Sequence, residues 1–144
     1  MEIVGIGTEI IECPRIGRMI EHHGELFLRR VYTDREIRFC QARKHAIEHF
    51  AALWAAKEAI CKAIGTTGSQ VAWTDIEVRK VDGARQKVWV GGDAKALARR
   101  LRIGDILIST SHCRTYATAY AIATLAQTRE PPGSPPTEPP EPGR

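Results

Sequence analysis

Residues 50–65, FAALWAAKEAICKAIG, constrain this chain more than any other stretch. On a helical wheel at about 100° per residue, Phe50, Leu53, Trp54, Ile60, Cys61 and Ile64 fill one wide arc. Ala51, Ala52, Ala55, Ala56, Ala59 and Ala63 fill the other. A bulky arc seeks a core, and an alanine arc lets a second element come close. The spacing predicts a helix from about Ile47 to Ile64, stopped by Gly65, that is central and covered on most sides. Three charges interrupt it. Glu58 and Lys62 lie one turn apart on the seam between the arcs, and Lys57 lies within the bulky arc. An exposed pair at this spacing is worth only about 0.2–0.5 kcal/mol, while burial costs each ion several kcal/mol. Either the seam is open to solvent or the charges serve a ligand. Lys57 is expected to lay its stem on apolar surface and carry its amine out to water.

The rest of the chain supplies what such a helix packs against. EIVGIGTEII reads as a strand. Pro14 opens a helix over PRIGRMIEHH, with Gly24 as its stop. Thr33 and Glu36 make a T-x-x-E capping box at the head of DREIRFCQAR. WTDIEVRKV and QKVWVGG read as strands around a DGAR turn. Asp93 is placed to cap a helix over DAKALARRL. DILISTSH and YATAYAIATLA close the folded part as two strands. In the second, Ala117, Ala119, Ala121 and Ala123 alternate with larger residues, so one face is small and invites a close neighbour. The order β-α-α-α-β-β-α-β-β, with its late strands in hairpin-like succession, argues for an α+β fold. The expectation is a small single domain over residues 1–127, with a central buried helix against a mainly antiparallel sheet. Seven of the eight prolines follow residue 130, and 128–144 reads as a disordered, partly polyproline-II tail.

Composition narrows the function classes. Apolar residues are 43% of 144, enough for a core, and no run is long enough to read as a membrane span. The N-terminus lacks a basic-then-apolar signal pattern, so a cytoplasmic location is expected. Cys13, Cys40, Cys61 and Cys113 form no C-x-x-C pair and read as free thiols. The net charge is +4, and the segment from Thr128 holds two Arg and three Glu, which leaves the remainder at +5. That surplus favours an acidic partner: nucleic acid, a polyphosphate ligand or an acidic protein.

Three places carry candidate chemistry. Glu58 offers a hard oxygen to Mg²⁺, which binds through one or two carboxylates plus substrate phosphates. Lys62 offers a point charge to the same phosphate. In GIGTEI, Gly5, Gly7 and Glu9 share one strand face, so a second carboxylate stands beside residues that leave room for something bulky. Ser109, Ser111 and His112, at a strand end, could donate hydrogen bonds to phosphate, although each alone is a weak signal. The alternative is a basic non-enzymatic binding module for nucleic acid or an acidic protein. Nine aromatics and no recognisable nucleic-acid motif weigh against nucleic acid. His45 and His49 read as exposed helical histidines rather than a zinc site, because HAIEH is not H-E-x-x-H.

Taken together, GIGTEIIECPRI, FLRRVYT with its following Glu36, FAALWAAKEAICKAIG, WTDIEV and STSHCRTYATA resemble the holo-[acyl-carrier-protein] synthases, the small 4′-phosphopantetheinyl transferases. The resemblance runs from residue 3 to about 126, and WAAKEAICKA is its most specific piece. It implies transfer of 4′-phosphopantetheine from coenzyme A to a serine of an apo acyl carrier protein, with Mg²⁺ bound and adenosine 3′,5′-bisphosphate released. It implies Glu9 and Glu58 as metal ligands, Lys62 on phosphate, and Ser111 and His112 near coenzyme A. Arg15 would face the acidic carrier, and the assembly would be a homotrimer with a site in each subunit interface. The arginines Arg15, Arg18, Arg29 and Arg30 would steer that carrier. Glu58, directly or through a water on the metal, is the candidate general base. Two positions depart from the family pattern: Glu9 where Asp is usual, and Leu53 where Arg is frequent. Glu9 moves its carboxylate by more than an ångström, and Mg²⁺ tolerates little departure from octahedral geometry, so Mn²⁺ is a possible substitute.

Overall fold

A computed structural model describes residues 1–66 and 70–128. The chain runs β1 (Ile3–Glu12), α1 (Cys13–His23), α2 (Glu25–Val31), α3 (Asp34–Gln41), α4 (Ala46–Ala63), a 3-10 turn (Trp73–Asp75), β2 (Ile76–Asp82), β3 (Arg85–Val90), α5 (Gly92–Arg100), β4 (Ile103–His112) and β5 (Tyr116–Leu125). The expected α+β class holds. β1, β5 and β4 form an antiparallel sheet in that order, and β2 pairs with β3 in a separate antiparallel hairpin. The tail expected from residue 128 lies almost wholly outside the described residues. No helix among them is long and apolar enough to cross a membrane.

Helix α4 sits across β1 and β5, as its alanine arc requires. Ala51, Ala55, Ala56 and Ala59 are fully buried, and so are Ala117, Ala119, Ala121 and Ala123 on the facing strand. Gly5 and Gly7 bring the helix onto β1 at backbone distance. A Cβ built on Gly7 would stand 1.9 Å from the Ala59 carbonyl oxygen, and one on Gly5 2.0 Å from that of Ala63. The room beside Glu9 is therefore filled by α4 itself rather than left for a ligand. The opposite, outer face of this sheet is apolar and uncovered: Ile6 is 68% exposed, Ile10 59% and Tyr120 58%.

Three local expectations change. ELFLRRV is a helix, α2, where no element is expected from sequence; seven residues are too few for a helical period to stand out. It starts from Gly24, whose φ of 53° turns the chain out of α1. WTD is a 3-10 turn, and the strand begins at Ile76. Asp93 lies in the first turn of α5 but makes no cap bond; Gly91 holds the cap position. The Thr33 and Glu36 capping box forms as expected, with Thr33 Oγ1 accepting from the Glu36 N–H at 3.3 Å and Glu36 Oε1 accepting from the Thr33 N–H at 2.9 Å.

Lys57 departs furthest from expectation. Its amine does not reach water: the residue is fully buried and pairs with Glu36 Oε1 at 2.6 Å. The reason is that three acceptors meet it inside, so the charge is satisfied without solvent.

Gly7→Ala is expected to destabilise the protein by at least about 3 kcal/mol, because the blocking atom belongs to helix backbone and cannot turn aside. Urea unfolding followed by circular dichroism measures this; a loss below about 1 kcal/mol would show that α4 can lift from β1 freely.

Candidate active site

The close seating of α4 on β1 brings three of the expected site residues together. Glu9 lies on the α4-facing side of β1, in register with Ala119 of β5, and its side chain is 19% exposed. Lys62, in the last turn of α4, reaches across to it: Nζ stands 3.1 Å from Glu9 Oε2 and donates to the Thr8 carbonyl at 2.9 Å. Glu9 Oε1 accepts from the Ile10 N–H at 3.1 Å. Glu58 stands one turn before Lys62, half-buried. Among the described residues no ion pair joins Glu58 to Lys62; the i,i+4 pairing open to the wheel gives way to the cross-element pair with Glu9. Burial and then the charge of Glu9 hold the Glu58 carboxyl above its usual 4.5, with Lys62 acting the other way. Glu9 and Lys62 are thus paired, and Glu58, one turn before Lys62, lies close enough for both of their charges to act on its carboxyl.

Ser111 and His112 lie elsewhere. They end β4 at the other end of α4, where His112 Nδ1 stands 3.3 Å from Glu48 Oε2. The His112 ring meets that of His49 at 4.9 Å, and His49 also packs edge-on against Phe39. Burial, followed by the charges of His112, Lys80 and Arg43, pushes the His49 imidazole below its usual 6.5. Glu48 precedes Glu58 by ten residues, which is about 15 Å along a helix. Within one chain the expected site is therefore in two parts. Ser111 is exposed on the outer side of the strand. Arg15 is exposed on α1, beside a small cleft it shares with Ile10 and Tyr116.

Sequence reasoning missed two features. The first is Glu36, the buried partner of Lys57. Its capping-box role was legible, but one side chain serving a cap, a lysine and a strand was not. The second surrounds Leu53, which is buried at the floor of a cleft of about 350 Å³ lined by Arg35, Arg43, Arg79 and Lys80. Positive charge is dense there although position 53 itself is apolar. Among the described residues no group of three or more His, Cys, Asp or Glu gathers as a metal cluster. His45 and His49 do not build one.

Known proteins match this chain in sequence and in fold. The family model of the 4′-phosphopantetheinyl transferase superfamily matches residues 5–124. The holo-[acyl-carrier-protein] synthase of Rhodopirellula baltica is 43% identical over 122 residues, covering 85% of this chain and 98% of that protein. That of Koribacter versatilis is 44% identical over 121 residues, covering 83% and 97%. Among solved structures, the holo-ACP-synthase of Plasmodium yoelii superposes with a TM-score of 0.77 at 27% identity, covering 88% of this chain and 98% of that one. The Bacillus anthracis synthase, solved in complex with CoA (3′,5′-ADP), superposes with a TM-score of 0.72 at 31% identity, covering 88% and 100%. The chain belongs to the 4′-phosphopantetheinyl transferase superfamily, and within it to the holo-[acyl-carrier-protein] synthases; it is an enzyme.

The site geometry fixes two titration signs. Removing the Glu9 charge by Glu9→Gln is expected to lower the Glu58 midpoint, since that charge disfavours ionisation of Glu58. Lys62→Met is expected to raise it, since an ammonium favours the carboxylate. Carbon-13 NMR of labelled glutamate side chains reads both; an unmoved Glu58 midpoint in Glu9→Gln would mean that the two carboxylates do not face each other.

Proposed function

We propose that the enzyme transfers 4′-phosphopantetheine from coenzyme A to a serine of an apo acyl carrier protein, releasing adenosine 3′,5′-bisphosphate. The observation that carries this reading is the convergence of Glu9 and Glu58 beside Lys62. Family membership and a related structure solved with coenzyme A support it. Phosphoryl transfer asks a protein for position and for charge neutralisation, and these three side chains offer both.

Mg²⁺ fits the donor set. Two hard carboxylate oxygens, with the Glu58 carboxyl held up by burial and then by the neighbouring Glu9 charge, make a place where a cation is favoured. Glu9 and Glu58 would hold it, and when bound it would neutralise charge on the diphosphate. Mn²⁺ is the proposed substitute given the longer reach of Glu9. Lys62 is free to leave Glu9 and stabilise negative charge developing on phosphate. Glu58 accepts the proton of the attacking serine hydroxyl, for which an elevated carboxyl midpoint is suited. Ser111 and His112 orient coenzyme A, and exposed Arg15 meets the acidic carrier.

The second part of the site belongs, on this reading, to a neighbouring subunit of a homotrimer. Two observations support that. Ser111 and His112 end β4 on the side of Glu48, about 15 Å of helix before Glu58, and the outer face of the β1–β5–β4 sheet leaves Ile6, Ile10, Leu107, Tyr116 and Tyr120 in water. A contiguous apolar face of this kind marks an interface. Four unpaired thiols fit a reducing compartment, the cytoplasm.

Incubation with coenzyme A, Mg²⁺ and an apo carrier protein is expected to add about 340 Da to the carrier, the mass of the transferred group. Intact-mass spectrometry reads it. Glu58→Gln is expected to lower the rate at least about 100-fold with the circular dichroism spectrum unchanged. No adduct with several carriers, under Mg²⁺ or Mn²⁺, would defeat the assignment. Sedimentation is expected to give a trimer for the natural chain and a smaller species for Ile6→Glu; a natural chain that sediments as a monomer would refute the shared site.

A further inference from the structure

We propose that Lys57, through its buried bond to Glu36, is a positioning residue: it sets the rotation of α4 that aims Glu58 and Lys62 at Glu9. This rests on the reading of Glu9 and Glu58 as a metal site.

Lys57 cannot touch substrate. An ammonium has three N–H groups, and all three have acceptors: Glu36 Oε1 at 2.6 Å, the Ile76 carbonyl at 2.6 Å and the Trp73 carbonyl at 3.0 Å. Glu36 is equally engaged, since Oε1 also accepts from the Thr33 N–H at 2.9 Å and Oε2 from the Val78 N–H at 3.0 Å. Both side chains are fully buried. Any effect on chemistry must pass through another residue, and the adjacent residue on the helix is Glu58.

The apolar faces of α4 fix its rotation poorly, and the exposed Lys62–Glu9 pair holds it only weakly. Its contact with β1 is alanine against glycine, smooth and without interlocking side chains. Such a contact fixes distance and leaves rotation loose. The bulky arc is held by hydrophobic burial, which is non-directional. Lys57 makes three directional bonds, to α3, to the 3-10 turn and to β2, about 100° around the wheel from Glu58. Turning α4 to swing Glu58 away from Glu9 would break them. The same bonds moor the returning end of the loop that leaves α4 at Ile64, because Trp73 is held at its carbonyl and by stacking on Trp54 at 5.5 Å. Stability alone is a weak reason for such a pair, since apolar replacements of buried ion pairs are often neutral or better. Directional fixing is the stronger one.

Lys57→Arg separates the two roles. Arginine keeps the charge beside Glu36, but its planar fork cannot converge on three acceptors as a tetrahedral ammonium does. The melting temperature is expected to fall, by about 5–15 °C, with cooperative unfolding and the natural circular dichroism spectrum retained. Mn²⁺ affinity, read by electron paramagnetic resonance on the protein alone, is expected to fall about tenfold or more. In the mass assay kcat is expected to fall about 10- to 100-fold with the KM for coenzyme A within about twofold. Glu36→Asp, which keeps both charges and shortens the reach, is expected to give the same split and serves if the first variant does not fold. A folded variant with natural Mn²⁺ affinity and kcat overturns the proposal alone. If Glu58→Gln retains natural Mn²⁺ affinity, the metal reading fails and the proposal falls with it.

Discussion

Everything in this domain depends on how closely one helix can lie on one strand. Gly5 and Gly7 have no side chains, Ala59 and Ala63 have minimal ones, and the helix carbonyls stand where Cβ atoms would be. Close approach maximises dispersion contacts between backbones, a gain that larger side chains would forfeit by holding the layers apart. It also has an electrostatic consequence. Two carboxylates on different elements are brought into one small space, and the Glu58 carboxyl is held up partly because Glu9 is there. That proximity is built by packing rather than by any local feature of either segment.

The remaining faces of α4 divide the other tasks. Its bulky arc, with Phe50, Ile60 and Ile64 nearly or fully buried, supplies the hydrophobic burial that a domain of this size needs. Its N-terminal turns carry Glu48 and His49 to the end of β4. Lys57 departs from both patterns, being a full charge in the centre of the apolar side. The interior tolerates it because each of its donors, and each oxygen of Glu36, has a partner; a half-satisfied version would cost far more than an apolar core.

Much of this was legible because it obeys a short period. The arcs of α4, the alternating alanines of β5, the capping box at Thr33 and the glycine stop at Gly24 are local patterns, and each became the element it predicts. What failed to show was tertiary. A wheel sees only its own helix, so it offers Lys62 the neighbouring Glu58 and cannot show the partner on β1. Snorkelling was the default for Lys57 because Glu36, 21 positions earlier, gave no sign of pointing inward. The glycines beside Glu9 read as room for a ligand because a sequence cannot say that a helix has already taken that room. Helix α2 was too short to announce itself. The candidate site residues stand out in sequence only as types, and their division between two ends of α4 is visible only in space.

That division bears on how charge is handled before substrate arrives. Lys62 is half-exposed, 51% at its side chain, yet it is committed to Glu9 and to the Thr8 carbonyl. An exposed ion pair of this sort holds weakly, by about 1 kcal/mol or less, so it can be exchanged at little cost. On the proposed reading, Lys62 neutralises Glu9 while no cation is present and is released toward phosphate once one is. The longer side chain of Glu9 suits this exchange, since it reaches the ammonium while its other oxygen stays on the Ile10 N–H. A rigid, buried Lys62 could not serve both states, whereas Lys57, which must not move, is the lysine that the fold buries. The two lysines of one helix, five residues apart, are thereby set to opposite tasks by burial alone.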